Sequence, residues 1–312
     1  MTKAGRRKNK KRIGLGIIAL GLALLLYPLT SIVYHDLSGE MRKARFLDRE
    51  RSISEGTMET RRQQTQSYNA GLDGSADTAV DPFDVKGYTP ASTLEFGEGE
   101  VFGYLSIPRI GEELPIYIGA SEYHLSIGTA QVDGTNMPIG GVNTRSVIAG
   151  HRGYATQTIF RDVDVLEPGD QILIHALGEE LEYAVTDAQI IAPSEYGKLA
   201  VIPGQDTLTL LTCTPYMVFT ERLLVNAVRV NAPVSTAEEP TNTSDETPAA
   251  KPDSTESVTP IAEEPSADRT DRQQAVAPSI LWKKRGLFAL TIVLWLALFR
   301  TLYRLTKSFG DV

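Results

Sequence analysis

Cysteine is almost missing from this chain. One thiol, Cys213, stands among 312 residues, with four histidines scattered along the length. A single cysteine closes no intramolecular disulfide, and one thiol with four separated imidazoles makes no metal cage, so neither a metal nor a cofactor is expected. Positive charge is short as well: a net charge of −8 argues against a nucleic-acid partner. Aromatic side chains are absent from Ala232 to Ala277, where Pro, Thr, Ser, Glu and Asp dominate. Such a stretch buries too little apolar surface to offset its ordering entropy, and 233–280 reads as a disordered acidic linker. There is no internal repeat. What is left suits one core of ~130–150 residues.

The basic residues that are present gather at Lys3, Arg6, Arg7, Lys8, Lys10, Lys11 and Arg12, in a tail over 1–12. Such a cluster also suits a nucleic-acid tail, but the adjoining segment decides against it. Ile13 to Tyr34 is 22 residues without a charge, enough at ~1.5 Å per residue to cross a ~30 Å hydrocarbon core. The run is too long for a signal-peptide core, and Thr30-Ser31-Ile32-Val33-Tyr34 is a poor cleavage site, so 13–34 reads as an uncleaved anchor. Basic residues before a span keep the N-terminus cytoplasmic. A second apolar run, Gly286 to Phe299, is flanked by Lys283-Lys284-Arg285 and Arg300. With Arg300 snorkelling it extends to a second span over 281–304, leaving 305–312 as a cytoplasmic tail. The expectation is a two-pass protein of the cell membrane, with its core outside and both termini inside.

Between the spans the chain changes character twice. The segment 35–75 is charged and free of proline, which suits a helical stalk anchored on one face by Phe46 and Leu47 and closed by Gly71 and Gly74. A loop over 76–95 contains Asp81-Pro82-Phe83, ordinarily no more than a turn. Over 96–232 short β-rich runs alternate with turn signals: Val101 to Ile107, Leu114 to Ile118, Ser146 to Ala149, Gln171 to His175, Leu181 to Val185, Gln189 to Ala192, Thr207 to Thr212 and Leu223 to Val230. That spacing predicts a mostly β fold, a closed barrel of about eight strands. Short helical pieces are expected near Ser121 to Ile127 and Thr158 to Val165.

Cys213 sits where one strand ends, before Thr214-Pro215-Tyr216, and Arg222 sits where the next begins. A thiol and an arginine so placed on antiparallel neighbours lie side by side. A thiolate needs a nearby cation, and a reacting carbonyl needs a donor for its oxyanion. A buried cysteine packed as a small hydrophobe is equally compatible with this stretch, and both readings stay open here. Ser146 to Ala149 runs into Gly150-His151-Arg152-Gly153, which puts His151 at a rim, where histidine serves as a proton shuttle. A solvated loop histidine is the plain alternative. His35, His124 and His175 have no motif around them.

Ala149-Gly150-His151-Arg152-Gly153, Thr209-Leu210-Leu211-Thr212-Cys213-Thr214-Pro215-Tyr216 and Arg222-Leu223-Leu224-Val225 together resemble the sortases, membrane-bound cysteine transpeptidases of Gram-positive bacteria. Ile107-Pro108-Arg109-Ile110 and Leu114-Pro115-Ile116-Tyr117 look like that family's first strands. Gly-His-Arg-Gly, Thr-Cys-Thr-Pro-Tyr, the second span and an Asp-Pro-aromatic lid are similar to the pilus-assembling class C members. Two features depart from them. Met217-Val218-Phe219-Thr220-Glu221 stands where the class usually has a Gly-x-Asn-Thr-His-like run, and Gly128 to Gly134 lacks an expected histidine-leucine pair.

The resemblance implies a sortase-type barrel and a reaction. Cys213 would attack the Thr–Gly carbonyl of a Leu-Pro-x-Thr-Gly-like sorting signal, His151 would protonate the leaving amine, and Arg222 would stabilise the oxyanion or hold the substrate. Thr212 and Thr214 become substrate-binding candidates. Asp81, Pro82 and Phe83 become a lid, with Phe83 over the thiol and Asp81 on Arg222. The implied partners are pilin or surface-protein sorting signals and the bilayer, and the implied acceptor is a pilin lysine. A sortase attaching proteins to cell-wall peptide, and a catalytically silent tethered scaffold or receptor, are the alternatives.

Overall fold

The computed structural model describes residues 3–76, 79–83, 96, 99–154, 156–230 and 275–310. Eight strands close a barrel: β1 Gly103–Ile107, β2 Glu112–Ile118, β3 Thr129–Gln131, β4 Thr144–Ala149, β5 Gln171–Ala176, β6 Glu179–Ile191, β7 Asp206–Thr214 and β8 Glu221–Arg229. The order around the barrel is β1-β2-β3-β4-β7-β8-β6-β5. The β2–β3 and β4–β7 pairs are parallel and the others antiparallel. Closure gives each of the eight described strands a neighbour on both sides. The interior is filled by inward rows such as Leu105, Ile107, Ile148, Ile172, Ile174, Leu208 and Leu210. A second apolar cluster covers the outside of β4 and β7, with Val147, Ala149, Leu211 and Leu224 at its base.

Several expectations shift. The separate strands expected at Leu181 to Val185 and Gln189 to Ala192 are one strand, β6, whose register slips between Val185 and Asp187. A bulge there breaks the alternation that a sequence reading follows. β3 has only three residues, too few to show a pattern in the sequence. A helix does form over α3 Glu122–Ile127, capped by the Ser121 hydroxyl accepting from His124 N at 3.1 Å. The helix expected at Thr158 to Val165 does not: only Val163–Val165 make a 3-10 turn, and Ile159 has a φ of 45° that a helix excludes.

Anchor and stalk are continuous. α1 runs from Lys3 to Arg51 through Pro28, and α2 follows over Glu55–Ala70, opened by Ser54 and closed by Gly71. The C-terminal helix α4, Pro278–Gly310, begins earlier than the expected span and ends later. Most of the expected linker at 233–280, the loop beyond Phe83 and the chain ends lie outside the described residues. Asn9–Arg51 and Pro278–Ser308 are long and apolar enough to cross a membrane. They pack antiparallel: Ala19, Leu26 and Leu298 form a small apolar seam, and Trp295 Nε1 donates to Thr30 Oγ1 at 3.1 Å.

The stalk is latched to the barrel. Phe46 packs against Tyr104 with ring centroids 5.2 Å apart. Glu50 Oε2 meets His175 Nε2 at 2.6 Å, and Glu50 Oε1 accepts from Gly178 N at 2.9 Å. Burial pushes the Glu50 carboxyl up, but the bonds from His175 and Gly178 overcome this and hold it below its ordinary value. A group with a depressed folded pKa stabilises above its unfolded pKa and loses that effect as pH falls through the folded one. Glu50→Ala should therefore cost about 2 kcal/mol near neutral pH, read from denaturant midpoints of the detergent-solubilised protein, with the deficit shrinking below pH ~4. An unchanged midpoint would show that the latch holds nothing.

Candidate active site

The site is set by strand register. In the β7–β8 ladder Cys213 lies directly opposite Arg222. In the parallel β4–β7 ladder Ala149 lies opposite Leu211, and Gly150 N donates to Leu211 O at 3.1 Å. Two residues further on in each chain come His151 and Cys213. Histidine, cysteine and arginine thus reach one level of three neighbouring strands, on the outer face of the barrel near its rim.

The loop that carries His151 is shaped by its glycines. A Cβ on Gly150 would meet the Phe160 ring at 2.8 Å, and Gly153 has a φ of 88°. Glycine is required at the first for space and at the second for conformation. Phe160 N and Gly153 N both donate to His151 O, at 3.0 and 2.8 Å. The His151 ring is stacked on Tyr154 at 5.4 Å. Burial holds the His151 imidazole below its ordinary pKa, with Glu122 acting weakly in the other direction.

Thr212 and Thr214 point away from the thiol. Strand alternation sends them to the barrel's inner face, continuing the row of Leu208 and Leu210, while Cys213 continues the outer row of Thr209 and Leu211. Thr212 Oγ1 donates to Gly150 O at 2.7 Å, and Thr214 Oγ1 accepts from Arg152 Nη1 at 2.7 Å. Arg152 also pairs with Asp164 at 2.6 Å. These two threonines clamp the residues on either side of His151.

Asp81 to Phe83 closes over the outer face. Arg222 Nη2 and Nε hold Asp81 Oδ2 at 2.9 and 3.1 Å, and the side chains of Arg222 and Asp81 are only 5% and 9% exposed. Asp81 Oδ1 accepts from Phe83 N at 2.9 Å, an Asx turn around Pro82. The Phe83 ring rests 5.6 Å from the His151 ring, with the Arg222 guanidinium 5.5 Å above it. The aromatic contact therefore falls on the histidine and the arginine. Sequence reasoning missed Tyr196, whose buried phenol is pushed up in pKa by burial and then by the facing Asp81. A tyrosine in a short 3-10 turn between β6 and β7, Tyr196–Leu199, carries no local signal of that neighbour. Arg152 lay within the Gly150-His151-Arg152-Gly153 motif and Tyr154 directly after it, both without an evident task.

Of the other histidines, His124 Nδ1 bonds Gly119 O at 2.7 Å and stacks on Tyr117, and His175 serves the stalk latch. Among the described residues no three His, Cys, Asp or Glu side chains gather as a metal site.

Residues 105–230 match the sortase domain. Solved relatives include sortase C of Streptococcus pneumoniae, 34% identical with a TM-score of 0.56, covering 62% of this chain and 97% of that one. The chain belongs to the sortase family. A pilus-related sortase C of Group B Streptococcus is 34% identical at a TM-score of 0.54, covering 59% of this sortase and 95% of that chain. Among curated proteins, sortase A of Bacillus anthracis is 33% identical over 114 residues, 36% of this chain, which spans about half (52%) of that relative. Sortase D of Bacillus subtilis is 27% identical over 207 residues, covering 66% of this chain and 90% of the relative. Sortases are cysteine transpeptidases, which sets aside the silent scaffold. The structural relatives are class C pilus sortases, while the curated ones are sortases A and D.

With the loop closed, burial pushes the Cys213 thiol up to about 11, against the pull of Arg222 and with a further push from Asp81. Asp81→Ala removes the repelling carboxylate, frees Arg222 and lets water in, and all three favour the thiolate. Its rate of alkylation by a small thiol reagent at pH 8 should rise about tenfold or more, one unit of pKa being a factor of ten in thiolate. The midpoint of the rate–pH profile should move down. Wild-type rates in both Asp81→Ala and Phe83→Ala would reduce Asp81 to Phe83 to a surface turn.

Proposed function

We propose that this sortase is a class C-like, pilus-building transpeptidase whose site is shut at rest by Asp81-Pro82-Phe83. The observation that carries the reading is the two-point grip of Arg222 on Asp81 beside Cys213. The guanidinium N–H groups that hold the carboxylate suit a carbonyl oxygen equally well, so the loop imitates a bound substrate.

The chemistry rests on the three residues. The sulfur of Cys213 attacks the Thr carbonyl of a Leu-Pro-x-Thr-Gly-like signal, and its proton passes to His151. Arg222 donates to the oxygen on which negative charge develops. Collapse breaks the C–N bond, and the His151 imidazolium gives its proton to the departing glycine amine. The thioester then accepts an amine, which on the class C reading is a pilin lysine. That amine loses a proton to His151, and Cys213 leaves as the thiol. In the closed state, burial disfavours the charged forms of both Cys213 and His151, so the resting pair is neutral. Opening the loop exposes Arg222 and lowers the cost of the thiolate.

Attachment of surface proteins to cell-wall peptide is the second reading, favoured by the curated sortases A and D. The lid geometry and the second long apolar helix support the pilus reading over it. Two antiparallel apolar helices with a basic N-terminal tail support a two-pass protein with the barrel outside and both termini in the cytoplasm.

Cys213→Ala should give no acyl-enzyme by intact mass on a sorting-signal peptide, with its melting temperature preserved. His151→Ala should lower turnover by about 10²–10⁴-fold. Arg222→Lys should lose about 10²-fold, because lysine lacks the planar fork. Turnover near wild type in Cys213→Ala would end the assignment. In the topology test, external protease should reach 101–230 in intact cells and spare tags at both ends. Loss of a C-terminal tag from outside would remove the second span.

A further inference from the structure

The reaction leaves unused a polar cluster where α4 meets the barrel. The head of α4 packs against the barrel's core: Ile280 and the preceding Ala277 are 1% and 5% exposed in the same buried apolar cluster, and Ala277 N donates to Arg109 O at 2.8 Å. One turn on, Lys284 Nζ reaches Gly111 O at 2.9 Å, Asp36 Oδ1 at 3.0 Å and Glu112 Oε1 at 3.1 Å. The same Glu112 oxygen accepts from Thr158 Oγ1 at 2.9 Å. Beside it, Lys283 Nζ meets Asp162 Oδ1 at 2.9 Å. Two adjacent lysines at the head of one helix thus bear on residues 158–162, Lys283 directly at Asp162 and Lys284 through Glu112 to Thr158.

The gripped segment supports the histidine. Phe160 N holds His151 O at 3.0 Å, the Phe160 ring packs on Gly150, and Asp164 holds Arg152 at 2.6 Å. Apart from one 3-10 turn at Val163–Val165, the segment has no regular structure of its own. Its shape depends on what it is tied to. On one side that is the His151 loop, and on the other it is the head of α4.

We propose that Lys283 and Lys284 are positioning residues for His151: through Asp162 and through Glu112 and Thr158 they hold the 158–164 segment in the shape that presents the imidazole to Cys213. The proposal rests on His151 being the acid–base group. Burial lifts the Glu112 carboxyl to about 7, Lys284 pulling it down and Asp36 pushing it up. The lysine is thus the cation that faces the carboxyl to which Thr158 donates. A proton shuttle works only within hydrogen-bond reach, and a displacement of about 1 Å can cost ~10²-fold.

The test uses full-length protein in nanodiscs, with Asp81→Ala throughout so that the lid does not limit the rate. Thr158→Val removes the hydroxyl and leaves the ion cluster intact. We expect its kcat on a sorting-signal peptide to fall about tenfold, with KM and Cys213 alkylation within about twofold and the melting temperature unchanged. Lys284→Met should lose at least as much kcat, and Lys284→Arg should keep most of it. If Lys284→Met does not accumulate, Thr158→Val decides. Unchanged kcat in Thr158→Val overturns the proposal. So does a fall in which kcat, alkylation and melting temperature drop together, since that marks a contribution to folding alone. His151→Ala separates the two readings. If it leaves turnover intact, the acid–base assignment has failed. If it abolishes turnover while Thr158→Val is silent, only the positioning has failed.

Discussion

The register of three strands governs this molecule. β7 is paired in parallel with β4 and antiparallel with β8, and only in that register do His151, Cys213 and Arg222 arrive at one level. A slip by one residue on β7 would send Cys213 to the inner face and a threonine to the outer one. The inner face is therefore as much part of the site as the outer. Leu208 and Leu210 fix which way the strand faces, and Thr212 and Thr214 fasten its end to the backbone and side chain flanking the histidine.

On that frame the proposed lid would set up a balance rather than a lock. Removing one partner of a buried ion pair costs about 3–5 kcal/mol when the other charge stays buried. Here the charge left behind regains water as soon as the loop departs, so most of that penalty is never incurred. The proposed closed state would be favoured by the Arg222–Asp81 pair, the Phe83 contacts and the cost of charging a dry thiol. The open state gains solvation of Asp81 and Arg222 and the entropy of a released loop. Apparent substrate affinity is reduced by the fraction of molecules that are open. On the proposed reading, such a device would suppress stray thiol chemistry without a change in any residue that reacts.

Legibility in the sequence tracks the range of the interactions involved. The adjacency of Cys213 and Arg222 needed only a strand end, a short loop and a strand start. Gly150-His151-Arg152-Gly153 announced a histidine at a rim because glycine there has a local cause. The faces of Thr212 and Thr214 were not legible, because β7 is buried on both sides over all nine residues and period two vanishes from such a strand. Tyr196 and Lys284 owe their neighbours to contacts made across the whole chain, with no pattern at either end. The segment 158–165 looked helical by composition and took another course because its residues answer to His151, Glu112 and Asp162 instead of to each other.

α1 has a mechanical consequence. It leaves the apolar stretch at Tyr34 and continues without interruption to Arg51. If 13–34 lies in the bilayer, those 17 further residues make a rigid post of about 25 Å. A flexible coil of the same length would have a similar mean reach, about 23 Å, but would sample everything from contact to full extension. With the post braced by Glu50 and by the head of α4, the height of the thiol above the membrane is a constant of the molecule and not a distribution. On the proposed function, donor and acceptor chains would have to come to that altitude. On the proposed function, the freedom needed for two substrates to meet would then lie in them, and the enzyme would act as a fixed station at the membrane.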